Sequence, residues 1–105
     1  MKLHYSQDPG HGWVKVNKAL LQRLGIAGDI SSYSYMRGDC AYLEEDGDTS
    51  RLLEAAKAAG IVIQLKPLYS NKNSKIRGYA QYQAPGGEIV QFMREHFQLI
   101  HIGGQ

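Results

Sequence analysis

The alternation of apolar and polar positions predicts short strands near the start of the chain. Residues 3–5 form one candidate strand, and residues 13–16, in which two valines flank a lysine, form another. The turn-forming segment 8–12, Asp-Pro-Gly-His-Gly, separates the two runs. This turn suits either a binding loop that presents His11 or a hairpin that Trp13 anchors, and the alternation starting at Trp13 favours the hairpin.

Two helices are predicted by leucines at helical spacing between capping residues. Asn17 is a typical N-cap, and Gly25 occupies the C′ position of a short first helix. A second helix, capped by Asp48 or Thr49, carries leucines and alanines up to Gly60. Each segment therefore has a start signal, an apolar face and a stop signal.

Further strands are predicted between and after the two helices. Residues 30–36 and 40–43 form two apolar or alternating runs, and a hairpin that turns at Gly38 explains both. The β-branched run 61–65 predicts a strand that the following Lys-Pro pair, 66–67, stops.

The whole chain, residues 1–105, is predicted to form a single α+β domain. A polar loop at 69–75, a weaker strand at 76–82 and a C-terminal helix at 88–100 complete its elements. We expect two layers, with a mainly antiparallel sheet of four to six short strands covered by two or three helices. The predicted core is Trp13, Val14, Val16, Leu20, Leu21, Leu24, Ile26, Tyr35, Leu43, Leu52, Ala56, Ile61, Ile63, Leu65, Ile89, Phe92, Met93, Phe97 and Ile100.

Composition narrows the class of protein. The chain has 105 residues, of which 43% are hydrophobic and 21% charged, which is typical of one globular domain. The single cysteine, Cys40, excludes an intramolecular disulfide and fits a reducing compartment. The start of the chain lacks the apolar stretch of a signal peptide, and no apolar run approaches the length of a membrane span. We therefore expect a cytoplasmic protein with no membrane partner.

Charge is distributed unevenly along the chain, although the net charge is only +2. Residues 1–28 carry a net charge of +3, residues 29–54 carry −5, and residues 55–87 carry +5 without a single acid. If the fold gathers these blocks on separate faces, the surface of the protein is bipolar.

The first candidate site is the acidic run Glu44, Glu45, Asp46 and Asp48. Clustered carboxylates can hold a divalent cation, but this spacing does not match an EF-hand loop. Asp46 and Asp48 would also start the second helix, where acids favour the helix dipole. A compatible interpretation is an acidic face that mimics phosphate and occupies the basic nucleic-acid-binding groove of a partner.

The second candidate site is a basic stretch in which tyrosines are interleaved with cations. Cations neutralise phosphates and aromatic faces stack on bases, so this composition is typical of a surface for single-stranded nucleic acid. A solvated loop whose tyrosines pack on the sheet would have the same composition, and no RNA-recognition consensus is present. The candidate partner-binding or nucleic-acid-binding residues are Lys66, Tyr69, Lys72, Lys75, Arg77 and Tyr79.

Signals for catalysis or for a metal are weaker. His4 and His11 flank a turn, whereas His96 and His101 lack the i, i+4 spacing of zinc ligands on one helix face. Cys40 lies within a strand pattern, where a cysteine is typically a small buried hydrophobe and not a nucleophile. We therefore expect no catalytic residues, no metal site and no cofactor. A small metal-dependent or Cys-dependent enzyme is the third-ranked alternative.

The chain carries five distinctive segments across residues 3–80, namely DPGHGW, LLQRLGI, ISSYSYMRGDCAYLEED, LLEAAKAAGI and SKIRGY. Together they resemble a group of short uncharacterised proteins encoded by bacteriophages and other bacterial mobile elements. The group supplies no catalytic residues, so the resemblance implies only a biological context, the cytoplasm of a bacterial host cell. Small phage proteins of this kind often act stoichiometrically on a host-defence system, and anti-CRISPR proteins are the best-known example.

The predicted function is binding, not catalysis. The leading hypothesis is a small phage-type protein that inhibits a host-defence complex, such as a CRISPR-Cas complex, through its acidic or its basic face. The alternative is a nucleic-acid-binding protein that uses the basic, tyrosine-rich stretch 66–82. The sequence leaves the identity of the partner, the choice of face and the oligomeric state open.

Overall fold

The computed structural model describes residues 1–85 and shows an α+β fold built on one six-stranded sheet. Its elements are β1 (Lys2–Gln7), β2 (Gly12–Asn17), α1 (Lys18–Arg23), β3 (Tyr35–Arg37), β4 (Cys40–Glu44), α2 (Gly47–Ala58), β5 (Gln64–Tyr69) and β6 (Ala80–Gln81). The strand order is β5-β1-β2-β4-β3-β6, and all neighbours are antiparallel except the pair of β1 and β5. The predicted two-layer α+β class is confirmed.

The main core lies on one face of the sheet. Val14 and Val16 of β2 are opposite Leu43 and Ala41 of β4, and all four side chains are buried together with Leu52 of α2. Complete burial of one leucine or valine contributes about 2 kcal/mol of hydrophobic free energy. These central pairs therefore fix the register of β2 against β4, because a slip by one residue would turn all four side chains to the opposite face.

Most predicted core residues within 1–85 are buried or packed against the core. Those that are buried are Trp13, Val14, Val16, Leu20, Leu21, Leu43, Leu52 and Ala56. Those that are partly buried are Leu24, Ile26, Tyr35, Ile61, Ile63 and Leu65. Those that the sequence analysis missed are Ile30, Ala41, Ile76 and Tyr82. The predicted C-terminal helix and its core candidates Ile89, Phe92, Met93, Phe97 and Ile100 lie outside the described residues.

The caps of α1 are those that the sequence predicts. The side chain of Asn17 accepts a hydrogen bond from the Ala19 N–H at 2.8 Å. Gly25 has a φ of +73°, and the Ile26 N–H reaches back to the Leu21 carbonyl at 3.0 Å, which completes a Schellman motif. Any other residue at Gly25 would be strained at this φ.

The start of α2 differs from the prediction. The helix begins at Gly47 with Asp46 as N-cap residue, and neither Asp48 nor Thr49 caps it through its side chain. The Thr49 hydroxyl instead donates to the carbonyl of Glu44 at 2.8 Å, which ties the helix to the end of β4. The side chain of Asp48 is engaged elsewhere, as described below.

The predicted hairpin at Gly38 is confirmed, but its first strand is shorter than expected. Arg37 is opposite Cys40, and Gly38 between them has a φ of +58°. Only Tyr35–Arg37 is extended, because the segment 31–34 forms a turn in which the Ser34 N–H donates to the Ser31 carbonyl at 3.3 Å.

The strand predicted at 61–65 is shifted toward the C-terminus, so the expectation that Lys66 and Pro67 stop it is wrong. Ile61 is held by the end of α2, since its N–H donates to the Ala56 carbonyl at 2.8 Å. In the parallel ladder with β1, the N–H of Gln64 donates to the Met1 carbonyl and the N–H of Ser70 donates to the Gln7 carbonyl. Because N–H groups alternate in direction along a strand, the even-numbered residues between them also point their N–H groups toward β1. Pro67 occupies an outward position, where its missing N–H costs no ladder bond on this edge strand.

The strand predicted at 76–82 is also corrected. Only Ala80–Gln81 pairs with β3, while Lys75–Gly78 forms a 3-10 turn that the Ser74 hydroxyl caps by accepting from the Ile76 N–H. Tyr82 continues the pairing through its N–H, which donates to the Ser34 carbonyl at 2.8 Å. Its ring belongs to the core, and its hydroxyl donates to the Ala27 carbonyl at 2.7 Å. Tyr82 therefore does not belong to an exposed aromatic surface.

Candidate functional site

Two recesses include residues from the face of the sheet that points away from the core. Because side chains alternate along a strand, Trp13, Tyr35 and Glu44 lie on the side opposite to the core residues of β2 and β4. The first recess, which we name the acidic cleft, has a volume of about 320 Å³. Its lining consists of His11, Gly12, Trp13, Tyr33, Tyr35, Glu44, Glu45, Asp46 and Arg77.

One wall of the acidic cleft is held by the buried carboxylate of Asp8. Its Oδ2 accepts from Arg77 Nε at 2.7 Å and from the Ser74 N–H at 2.9 Å, and its Oδ1 accepts from Arg77 Nη2 at 2.8 Å. The N–H groups of Gly10 and His11 donate to the same Oδ1 within the turn. The bidentate pair with Arg77, followed by these backbone N–H groups, holds the pKa of Asp8 well below its usual range.

This arrangement also fixes Arg77 above the indole of Trp13. The guanidinium carbon lies 5.4 Å from the ring centroid, which is within the range of a cation–π contact. Tyr35 packs edge-on against Trp13 at a centroid distance of 6.2 Å. The charge of Arg77 is matched by Asp8, so this wall of the cleft carries no net charge.

The opposite wall depends on Asp48, whose side chain is only 1% exposed. Its carboxylate accepts from the hydroxyls of Ser31 and Ser34 at 2.7 and 2.5 Å, and from the Ser31 N–H at 3.1 Å. These bonds hold the turn that presents Tyr33, which is 81% exposed. Asp48 therefore cannot contribute to an exposed acidic face, and its placement there is corrected.

Glu44 is likewise occupied within the protein. Its Oε1 accepts from the Asp48 N–H at 2.7 Å and its Oε2 from the Asp46 N–H at 2.8 Å. These donors belong to the start of α2, where a negative charge also complements the helix dipole. Glu44 thus supplies the cap that the sequence analysis assigned to Asp48 or Thr49.

Glu45 and Asp46 are the two acids that remain to face the cleft opening. The Tyr5 hydroxyl donates to Glu45 Oε2 at 2.9 Å, and burial together with Glu45 raises the pKa of the Tyr5 phenol from its usual value. Tyr5 crosses Gly12, where an added Cβ would lie 2.5 Å from the ring. Within residues 1–85, the Asp46 carboxylate accepts no hydrogen bond.

The predicted basic residues do not gather in one place. Lys66 and Tyr69 lie on the edge strand β5, and Lys72 lies in the loop that follows it. Lys75 and Tyr79 line the second recess, together with Lys18 and Arg37, which the sequence analysis missed. The four residues form a shallow surface with a net charge of +3, which we name the basic groove.

A tilted aromatic pair and a cation–π contact organise the basic groove. Tyr79 lies 5.1 Å from Tyr42 between ring centroids, and the Arg37 guanidinium lies 5.1 Å from the Tyr79 ring. Arg37 was hidden from sequence reasoning because it falls inside the acidic block 29–54. The one sequence signal that could have found it is its position beside Gly38, at the end of the predicted hairpin strand.

Other candidate chemistry is sparse in the described part of the chain. No group of three or more His, Cys, Asp or Glu side chains within residues 1–85 is arranged to hold a metal ion. His4 and Cys40 border one shallow recess with Lys15, while His96 and His101 lie outside the described residues. None of the helices within residues 1–85 is long and apolar enough to cross a lipid bilayer.

Comparison with known proteins assigns no family to the chain. No protein-family model, no curated protein and no solved structure matches it. The functional argument therefore rests on the chemistry of the acidic cleft and of the basic groove.

Proposed function

We propose that the protein is a stoichiometric inhibitor of a bacterial host-defence complex, such as a CRISPR-Cas complex, and that it occupies a basic, nucleic-acid-binding surface of that complex with its acidic cleft. The observation that carries this proposal is the position of Glu45 and Asp46 beside the exposed ring of Tyr33. The phage context comes from the sequence resemblance.

The difference between acids that have partners within the protein and acids that remain exposed supports binding at this cleft. Glu44 and Asp48 satisfy donors within the protein, and Asp8 matches Arg77. The two remaining acids form a negative patch that attracts a basic surface and orients it during encounter. An exposed tyrosine next to such a patch is typical of an interface residue, because it supplies a large rigid contact.

The proposal is tested by capture from a bacterial lysate that contains a CRISPR-Cas complex and has been treated with nuclease. Glu45→Lys with Asp46→Lys should abolish capture of the complex, because the reversed patch repels a basic surface. The matched variant Lys18→Glu with Lys75→Glu reverses two charges in the basic groove and should still capture the complex. Equal capture by wild type and the first variant, at the same folded fraction, would exclude the acidic cleft as the binding face.

A second candidate function is nucleic-acid binding through the basic groove, which combines three cations with the partly exposed Tyr79. Cations of this kind neutralise phosphates, and a tyrosine ring stacks on bases. Fluorescence anisotropy with a labelled single-stranded oligonucleotide should then show affinity that falls steeply with added salt. Lys18→Glu with Lys75→Glu should abolish it, whereas Glu45→Lys with Asp46→Lys should not.

A further inference from the structure

We infer that the acidic cleft receives an arginine side chain of the protein partner. This inference rests on the proposed function, because it names the group on the partner that the cleft recognises. It is carried by the combination, in one recess, of two carboxylates with free acceptor capacity and two tyrosine rings at the opening.

The acceptors in the cleft are available to a new donor. Tyr5 holds Glu45 through Oε2 and, within residues 1–85, the Oε1 atom accepts no hydrogen bond. Asp46 is exposed and, in the same part of the chain, its carboxylate is equally unoccupied. A guanidinium offers five N–H donors in a planar fork, which suits two adjacent carboxylates better than the single point charge of a lysine.

The aromatic lining favours a planar cation. Tyr33 is largely exposed and Tyr35 is half-buried, so both leave ring surface on which a guanidinium can stack. The protein already uses this contact twice, with Arg77 above Trp13 at 5.4 Å and Arg37 above Tyr79 at 5.1 Å.

The electrostatics of the lining exclude an anion and tolerate a second guanidinium. Arg77, the one arginine of the lining within residues 1–85, is matched in charge by the bidentate contact with Asp8, so an incoming cation meets little repulsion from it. Among residues 1–85, Glu45 and Asp46 have no such counter-charge in the cleft. A phosphate or carboxylate ligand would therefore be repelled, whereas an arginine is attracted.

The inference is tested by titrating N-acetylarginine amide into the isotope-labelled protein and following amide and indole N–H resonances by NMR. N-acetylcitrulline amide is the control, because it keeps the shape of the side chain and lacks the charge. We expect saturable shifts at Trp13 and Tyr33 with the arginine probe only. Glu45→Gln with Asp46→Asn should weaken binding about tenfold or more, since charge-assisted hydrogen bonds are lost.

The matched variant Lys18→Gln with Lys75→Gln removes two charges from the basic groove and should leave the affinity for the arginine probe unchanged. Equal shifts with the citrulline probe, or no saturable shift at cleft residues, would overturn the inference. That failure is distinct from failure of the proposed function, because capture of the defence complex and its loss in Glu45→Lys with Asp46→Lys are measured without the arginine probe.

Discussion

Asp8 and Asp48 are both buried beside the acidic cleft, yet they are held by different kinds of partner. Asp8 meets the full charge of Arg77 in a bidentate contact and accepts three backbone N–H groups. Asp48 accepts from two serine hydroxyls and one backbone N–H, while the Arg51 guanidinium lies 3.5 Å away on a half-exposed side chain. One carboxylate is neutralised mainly by a charge and the other mainly by dipoles.

The two carboxylates also differ in how far along the chain they reach. Asp8 joins the first hairpin to Ser74 and Arg77, which lie 66 and 69 positions further along the chain. It thereby fastens the segment 74–77 across the end of the sheet. Asp48 joins Ser34 and Ser31, which lie only 14 and 17 positions earlier in the chain. The comparison shows that one wall of the cleft depends on a long-range ion pair, whereas the other depends on a local network of neutral donors.

The largest effect is expected from Asp8→Asn. The amide cannot match the charge of Arg77, whose side chain is one-third exposed, and its NH2 group would face donors that the buried carboxylate of Asp8 accepts, which is destabilising. We expect the midpoint of thermal unfolding to fall by about 15 °C. Asp39→Asn is the matched control, because Asp39 is exposed and should change the midpoint little. Equal midpoints for Asp8→Asn and wild type would show that this wall does not depend on the ion pair.

A smaller effect is expected from Asp48→Asn. Its amide group removes one acceptor oxygen from Ser31 and Ser34, while the Ser34 hydroxyl already accepts from the Glu44 N–H and cannot reverse its role without loss. One or two unsatisfied buried donors lower the unfolding midpoint by about 8 °C. A loss larger than that of Asp8→Asn would contradict the ranking of charge above dipole partners.

Acid should narrow the difference in unfolding midpoint between wild type and Asp8→Asn. The pKa of Asp8 is lowered in the folded state, so its contribution is fully present above the unfolded value near ~3.9 and is lost as the pH falls below it. Between about pH 5 and pH 2 we expect the gap in unfolding midpoint to shrink by about 5 °C. A gap that stays constant on acidification, measured by circular dichroism, would mean that Asp8 does not titrate differently on folding.

These contrasts explain which parts of the fold could be predicted. The Asn17 cap, the Schellman end at Gly25 and the hairpin at Gly38 depend on neighbouring residues, and the sequence analysis found all three. The shift of β5 past Pro67 and the burial of Tyr82 depend on which strand lies alongside. Such information exists only in the tertiary pairing, so periodicity along the chain could not supply it.

The site was predictable in composition but not in arrangement. The acidic run was identified, yet the sequence could not show that Glu44 and Asp48 satisfy donors of the chain itself. Asp8 went unrecognised as a structural residue because its partner Arg77 is distant in sequence. An Asp followed by Pro-Gly is a signal for a side-chain-capped turn, and that signal could have identified its two local bonds.

The smallest expected effect is the deviation from additivity in the double variant Asp8→Asn with Asp48→Asn. The two carboxylates share no hydrogen-bond partner within residues 1–85, so their substitutions should act independently. The fall in unfolding midpoint should then equal the sum of the single falls to within about 3 °C.

A larger deviation would show that the two walls respond to each other across the cleft. Tyr35 provides the physical route for such coupling, because it follows the Ser34 turn and packs edge-on against Trp13, on which Arg77 rests. Additivity would instead mean that each wall holds its shape alone. An arginine probe should then still bind to Asp48→Asn when only the tyrosine wall is loosened, but more weakly, because the rings on which it stacks are no longer fixed.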